Sequence, residues 1–428
     1  MSYSAAADEL QENWGFTRRF LAFLDCLLIV SYGLGLLMSG YLVQRVNPVS
    51  FGALGAIVSA TSMAIFASTV SLGLSTHAHG WYSVLIACYG FFQSTVIVSG
   101  VKIVASWSSK SKRGTEFGVY GSSSVVGQIL GLGIAAAIDD VDGNAALMPI
   151  LLVPSSFLAF AGLAQWLLVS VNPDSSGEVE EMSLVDLLKI NKVRASILAF
   201  SGVRIVDTTI DLWIVILIQE IANIPQYSAI LLSMTYMAGI GVGSVVSGWV
   251  SDYVQSRSGV ITMSSIAAYC ILCGFAWTTS VAILGVCLFA LGFAIGGPVV
   301  HLPTTLSADI AATLRKPVAG QVTGLIDGFG TIIAGVLQLA IGFGRDELGW
   351  GAIFVVFATP LLLSACVMMI MYLDEAGYGA GLKPGFDPIY DDSKGVRVEI
   401  GTEDIKMEEP ELEEDDEDPL LGVHKKDR

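Results

Sequence analysis

The sequence predicts an all-α polytopic membrane protein, and three observations support this. The 428-residue chain is 53% hydrophobic and only 14% charged, unlike a soluble globular domain. Eleven mostly apolar segments are each long enough to cross a bilayer as a helix, which takes about 20 residues. They are glycine-rich and lack period-2 alternation, which favours packed membrane helices over barrel strands. The expected spans lie near residues 20–43, 49–73, 81–105, 117–138, 147–171, 195–220, 226–250, 258–278, 281–306, 320–343 and 349–373.

Loop charge predicts the orientation of these spans. Excess Lys and Arg marks cytoplasmic loops, and alternate loops of this chain hold most of the basic residues. The C-terminal tail is then cytoplasmic, and an odd number of spans places the N-terminus on the opposite side. The basic residues of the expected cytoplasmic loops are Arg45, Lys110, Lys112, Arg113, Lys189, Lys192, Arg194, Arg257, Arg315 and Lys316.

An internal repeat divides the apolar part of the chain into two halves. Residues 39–52 and 247–259 each close a helix with a serine-glycine pair, cross a short turn and enter the next helix. Charges in such turns can pair with neighbouring helix ends, and two copies in corresponding halves indicate a duplicated bundle. The turn motif consists of Gly40 and Arg45 in the first copy and of Gly248, Asp252 and Arg257 in the second.

The register of the repeat predicts five spans in the first half and six in the second. The second copy follows the second helix of its half, whereas the first copy follows the first helix, so an opening helix of a twelve-helix plan is missing. We expect an incomplete sequence, with one more apolar segment bearing an Arg or Lys encoded upstream; a shortened relative is the alternative. The expected parts are an N-terminal half-bundle over 1–172, a central cytoplasmic loop over 173–194, a C-terminal half-bundle over 195–373 and an acidic, disordered cytoplasmic tail over 374–428.

Three charges lie inside the sixth apolar segment. Arg204, Asp207 and Asp211 are spaced three and four apart, which places them on one face of a helix. A charge facing lipid at the bilayer centre costs at least about 2.5 kcal/mol. The face therefore points to protein or to water, and we expect a cavity or a gate; an inert pair between Arg204 and Asp207 is the alternative.

Four stretches of the chain resemble one family of transporters. Residues 28–47, 90–114, 296–310 and 322–335 are similar to helices of the organophosphate:phosphate antiporters of the major facilitator superfamily, and in particular to the eukaryotic sugar-phosphate exchangers, which include glycerol-3-phosphate transporter-like proteins. The resemblance implies two pseudo-symmetric helical bundles. It also implies secondary active exchange of a phosphorylated sugar or glycerol phosphate for inorganic phosphate by alternating access. A transport-inactive relative that acts as a membrane scaffold or sensor is the alternative.

The resemblance also suggests which residues bind the substrate. In that family the first helix of each half contributes a basic residue that binds phosphate. When the segments are aligned on Trp213, Arg204 matches the basic position of the eukaryotic exchangers, whereas Asp207 falls at the arginine position of the bacterial antiporters. Arginine suits this task because its guanidinium offers paired, charge-assisted donors.

Four more polar residues in apolar segments are substrate-path candidates. Lys102 lies near the expected cytoplasmic end of its helix, where a snorkelling lysine explains it equally well. His301 follows Gly296-Gly297-Pro298, which predicts a broken helix of the kind that often lines a transport path. Gln93 and Asp327 match the exchangers in position.

The sequence contains no nucleotide-binding loop, metal-ligand cluster or nucleophile-base pair, so we expect no enzyme activity, no cofactor and no metal. The expected partners are a small organophosphate, inorganic phosphate and the lipid bilayer, without nucleic acid, and the protein is expected to be monomeric.

Two sorting signals compete near the C-terminus. Lys425 and Lys426 stand fourth and third from the end, which resembles a dilysine retrieval signal of the endoplasmic reticulum. Leu420 and Leu421 follow acidic residues, which resembles a dileucine signal for endolysosomal or vacuolar membranes. Such addresses are read by receptors. We expect an integral protein of the endoplasmic reticulum membrane, with the endolysosomal or vacuolar membrane as the alternative.

Overall fold

The structure is a computed structural model that describes residues 10, 16–73, 79–138, 147–171, 182–275 and 280–376. These residues form twelve helices, and this part of the chain contains no strand. The acidic tail from residue 377 and the sorting residues Leu420, Leu421, Lys425 and Lys426 lie outside the described residues. The helices are α1 (Arg18–Leu42), α2 (Pro48–Ser71), α3 (His79–Trp107), α4 (Arg113–Ile138), α5 (Leu147–Leu168), α6 (Leu184–Lys189), α7 (Asn191–Ala222), α8 (Gln226–Val254), α9 (Arg257–Phe275), α10 (Val281–His301), α11 (Thr305–Thr313) and α12 (Ala319–Glu375).

Ten segments of the described chain have the length and apolar composition of a membrane span. They correspond to ten of the eleven spans expected from the sequence. The eleventh is α7, a helix of 32 residues whose three central charges make it less apolar than the others. Half of its 32 residues are buried, among them Phe200 and Val203, so the middle of α7 lies inside the bundle and its charges face protein.

The last helix contains two spans. It has 57 residues, and a straight helix of that length would extend about 86 Å, nearly three times the hydrocarbon thickness of a bilayer. Its segments Ala319–Gln338 and Ala358–Glu375 each qualify as a span, as the sequence predicted. Gly330 lies against Phe200 and the Pro360 carbonyl lies against Gly202. Both segments therefore contact the same turn of α7.

Local sequence signals explain where several helices begin and end. Asn47 caps α2 by accepting a hydrogen bond from the Val49 amide at 2.9 Å, and Pro48 follows at the first helical position, where no amide donor is needed. Asn223, with a left-handed φ of 51°, ends α7. The expected central loop is partly helical, because α6 and the start of α7 both lie before residue 195.

Two close helix crossings connect the sequence-defined halves. In the first, α4 lies on α8, and a Cβ added at Gly118 would stand 2.6 Å from the Ser244 carbonyl oxygen. In the second, α1 lies on the first segment of α12, and a Cβ added at Gly324 would stand 2.5 Å from the Leu36 carbonyl oxygen. Small residues allow this approach because nothing but backbone separates the helices. Glycines therefore allow the two halves to approach closely at both crossings.

Candidate functional site

The charged face of α7 forms the core of a buried polar cluster. The Arg204 Nη1 donates to Asp207 Oδ2 at 3.0 Å, and the Tyr236 hydroxyl of α8 donates to Asp207 Oδ1 at 3.2 Å. Asp207 is 3% exposed and Tyr236 is fully buried. The intrahelical pair considered from the sequence is thus present. It is not isolated, because a second helix supplies a donor to the same carboxylate.

Two further helices contribute groups around Arg204. Its guanidinium interacts electrostatically with Asp327 of α12 and Tyr32 of α1, as well as with Asp211 of its own helix. Asp327 is buried and accepts a hydrogen bond from the Thr331 hydroxyl at 3.0 Å. The groups from α1, α7, α8 and α12 are called the central cluster below. It consists of Tyr32, Arg204, Asp207, Asp211, Tyr236 and Asp327.

The N-terminal half faces this cluster with tyrosines. Tyr32 lies near Tyr89 of α3 and Tyr120 of α4. Gln93, a sequence candidate, lies one turn after Tyr89 and interacts with its hydroxyl. Tyrosine hydroxyls and an amide can hydrogen-bond the oxygens of a polar solute without adding charge. Gln93 is therefore connected to the central cluster through Tyr89 and Tyr32.

A polar bridge fixes the orientation of α7 relative to α12. The Gln338 amide nitrogen donates to the Thr209 hydroxyl at 2.9 Å, and the Trp213 indole donates to the Gln338 amide oxygen at 3.2 Å. Thr209 and Trp213 are one turn apart, so one glutamine holds both. This bridge holds the charged face of α7 in position on the C-terminal side of Arg204.

Two buried atoms of the central cluster have no hydrogen-bond partner among the described residues. They are Arg204 Nε, a donor, and Asp211 Oδ1, an acceptor. A buried polar group without a partner costs about 1–3 kcal/mol, more when it is charged. Such groups in a native structure call for an explanation, and a ligand that supplies the missing bonds is one.

A second polar cluster lies at the end of α8. The Asp252 carboxylate accepts hydrogen bonds from the Gly114 amide at 3.0 Å, and from the Thr115 amide and hydroxyl at 2.7 Å each. It therefore caps the N-terminus of α4, where free amide donors and the helix dipole favour an anion. The pairing of turn charges with helix ends expected from the repeat is present at Asp252.

Two arginines extend this contact. Arg257 of α9 contacts Asp252 at 2.5 Å and Asp309 of α11 at 3.3 Å, and Arg113 of α4 contacts Asp309 at 2.8 Å. These four residues are called the bridging cluster below. They connect the start of α4 in the first half to three helices of the second half, and both arginines are mostly buried. Because buried ion pairs are held firmly only when each charge has a partner, the four charges act as one unit.

The first copy of the turn motif differs from the second. Gln44 stands where Asp252 stands in the second copy, four residues after the motif glycine. Its buried amide nitrogen has no hydrogen-bond partner in the described part of the chain. Arg45 contacts Tyr41 instead, through its hydroxyl and across its ring face at 4.5 Å. Within the described residues, the uncharged Gln44 therefore does not reproduce the ion pair that Asp252 makes.

Two of the sequence candidates lie away from the central cluster. The Lys102 ammonium donates to the Val43 carbonyl at 2.7 Å, at the end of α1. The His301 ring contacts the Ser244 carbonyl at 2.9 Å and the Thr305 hydroxyl at 2.8 Å. His301 lies beside the bridging cluster, where Ser251 and Arg257 line the same small cavity.

The expected helix break before His301 is wrong. Helix α10 continues through Pro298 and ends at His301. The glycines serve close packing, because a Cβ added at Gly296 would stand 2.5 Å from the Ile240 carbonyl oxygen of α8. Neighbouring helices can accommodate a proline within a membrane helix in this way.

Comparison with known proteins identifies the family. Residues 1–338 match the family model described as Major Facilitator Superfamily. The chain belongs to this superfamily. It is 25% identical over 400 residues to sugar phosphate exchanger 3 of Bos taurus, covering 82% of this chain and 79% of that protein. It is 26% identical over 398 residues to putative glycerol-3-phosphate transporter 1 of Arabidopsis thaliana, covering 81% and 74%.

Solved structures of the Major Facilitator Superfamily share the fold. The transporter FucP in its outward conformation matches with a TM-score of 0.63 at 12% identity, covering 86% of this chain and 95% of FucP. The human organic anion transporter MFSD10 matches with a TM-score of 0.64 at 13% identity, covering 86% and 89%. The family resemblance seen in the sequence is confirmed, and the chain is an integral membrane transporter.

Proposed function

We propose that this transporter exchanges a phosphorylated sugar or glycerol phosphate for inorganic phosphate, with Arg204 as the residue that binds the phosphate. The observation that carries the proposal is the position of Arg204, which lies in the middle of α7 among groups from α1, α8 and α12. Its Nε has no hydrogen-bond partner in the described part of the chain. A guanidinium with a free donor is suited to a phosphate oxygen. The names of the relatives support the same substrate class.

The two polar clusters have different roles in alternating access. The central cluster binds the substrate between the half-bundles 1–172 and 195–373. The bridging cluster holds the two halves together at the expected cytoplasmic face, and it must separate when that face opens. Alternating access then consists of breaking the contacts of α4 with α8, α9 and α11 while the site around Arg204 stays assembled.

The bound phosphate would displace Asp207 as a partner of Arg204. Asp207 retains the Tyr236 hydroxyl, which donates to its other oxygen. Nothing in the site favours the inactive scaffold, and the proposed activity involves no cofactor and no enzymatic step. For location we propose the endoplasmic reticulum membrane, on the strength of Lys425 and Lys426.

Reconstitution tests the proposed exchange. Purified protein in proteoliposomes loaded with inorganic phosphate should take up labelled glucose 6-phosphate or glycerol 3-phosphate, and proteoliposomes without internal phosphate should take up far less. Empty liposomes and liposomes loaded with sulfate are the controls. Equal uptake with and without internal phosphate would contradict exchange, and uptake of neither ester would contradict the substrate class.

A further inference from the structure

We infer that the preferred substrate carries an amino group in addition to its phosphate, and that Asp211 binds the ammonium while Arg204 binds the phosphate. This inference rests on the proposed function and names the substrate class more closely. It is drawn from the charges and the unpaired atoms of the central cluster.

The charge balance of the central cluster favours a substrate that carries a positive charge beside its phosphate. Within the described residues, Arg204 is the cation that stands among three carboxylates, those of Asp207, Asp211 and Asp327. A phosphate ester carries a charge of about −1.5 to −2 at neutral pH. When these carboxylates are ionised, adding the ester to one arginine and three carboxylates increases repulsion in a buried site, where charges are weakly screened. A substrate that also carries a positive charge offsets part of that repulsion.

The unpaired atoms are of opposite kinds, which a two-headed ligand can satisfy together. Arg204 Nε needs an acceptor, and Asp211 Oδ1 needs a donor. The residues are seven apart on α7, about two turns and 10.5 Å along the helix axis. Once both side chains reach inward, a phosphate and an ammonium a few carbons apart can contact both. A phosphate alone satisfies Arg204 and leaves the acceptor of Asp211 unpaired.

The other carboxylates of the cluster already have partners. Asp207 accepts from Arg204 and Tyr236, and Asp327 accepts from Thr331. A metal ion is a poor alternative occupant, because the described residues contain no group of three His, Cys, Asp or Glu side chains placed to hold one. Asp211 is therefore the carboxylate available to a substrate cation, and an ammonium with three donors fits it best.

A matched pair of substrates tests the inference in the wild-type protein. Glucosamine 6-phosphate and glucose 6-phosphate differ in one substituent, an ammonium in place of a hydroxyl. In phosphate-loaded proteoliposomes we expect the amino sugar to have a KM at least about tenfold lower, which corresponds to about 1.4 kcal/mol. Asp211→Asn should reduce this preference to within about twofold, because the amide removes the charge that recognises the ammonium. Asp186→Asn, in an exposed pair with Lys189, is the matched control and should keep the preference.

The outcomes separate this inference from the proposed function. If inorganic phosphate exchanges and glucose 6-phosphate is transported as well as or better than the amino sugar, the inference is wrong and the proposed function stands. If neither ester nor phosphate is transported, the proposed function is wrong and the inference with it. The comparison of the two sugars in the wild-type protein decides the matter even if Asp211→Asn does not insert into the membrane.

Discussion

Replacing Asp252 by asparagine should open the face of the protein at which the bridging cluster lies. The carboxylate receives three hydrogen bonds from the start of α4 and an ion pair from Arg257 at 2.5 Å. The amide keeps one acceptor and loses the charge. Charge-assisted hydrogen bonds contribute about 1.5–3 kcal/mol each, and an anion at a helix N-terminus contributes up to about 2 kcal/mol. Arg257 retains Asp309, so we expect a net loss of about 3 kcal/mol, roughly a hundredfold change in the ratio of closed to open states.

Spin labels at Ser111 and Tyr253, exposed positions on either side of the cluster, can report this change. Pulsed electron spin resonance should show mainly the short distance in the wild-type protein and mainly a longer one in Asp252→Asn. The control is Gln44→Ala at the related turn, where the amide nitrogen has no partner among the described residues, so its loss should leave the distances unchanged. An unaltered distance distribution in Asp252→Asn would refute the idea that these charges hold the halves together.

Three further substitutions test the packing between the halves, the central cluster and the role of Lys102. Gly118→Leu places a side chain against a backbone only 2.6 Å from its Cβ position. The resulting loss of stability, at least about 1–3 kcal/mol, should appear as a lower melting temperature in detergent. Gly127→Leu, which meets open space, is the control and should keep the wild-type melting temperature. Tyr236→Phe removes a donor to a buried carboxylate and should raise the KM for phosphate up to about tenfold, the effect of one hydrogen bond of 0.5–1.5 kcal/mol; an unchanged KM would exclude the hydroxyl from the site. Lys102→Met should leave that KM within about twofold, because its ammonium binds a helix end, and a KM raised tenfold would restore Lys102 as a substrate ligand.

The spans and the charged face of α7 follow from the sequence alone because they depend on local chemistry. Apolar length predicts a spanning helix whatever its neighbours are. Likewise, the spacing of Arg204, Asp207 and Asp211 fixes their common face through helix geometry. The repeated turn motif predicted charges that pair with helix ends, and Asp252 does so.

The partners of these residues depend on tertiary packing and could not be predicted. Tyr236 lies 29 residues beyond Asp207 in an apolar helix, with nothing in its surroundings to distinguish it from a packing tyrosine. Asp309 lies 52 residues beyond Arg257, and its single carboxylate in a short polar stretch gave no signal of a bridge. Sequence reasoning therefore missed both residues.

The residues wrongly expected to form a break also show that tertiary packing can overrule a prediction made from local sequence. Gly296-Gly297-Pro298 predicts a break when the helix is considered in isolation. In the bundle, α8 packs against the glycines and α10 continues to His301. The sequence is compatible with a hinge and with a close helix crossing, and tertiary contact selects the crossing.

The most direct test of the proposed function is phosphate exchange by variants of Arg204 in proteoliposomes. Arg204→Lys keeps the charge and should retain part of the activity, whereas Arg204→Gln should lose about 10- to 150-fold in kcat/KM, the equivalent of one charge-assisted bond of 1.5–3 kcal/mol. Arg194→Gln, an exposed arginine of the same helix, is the control and should exchange normally. Suppose instead that Arg204→Gln inserts into the membrane and exchanges phosphate within about twofold of the wild-type rate, a difference smaller than the contribution of one neutral hydrogen bond. Arg204 then does not bind the substrate and the proposed site is wrong.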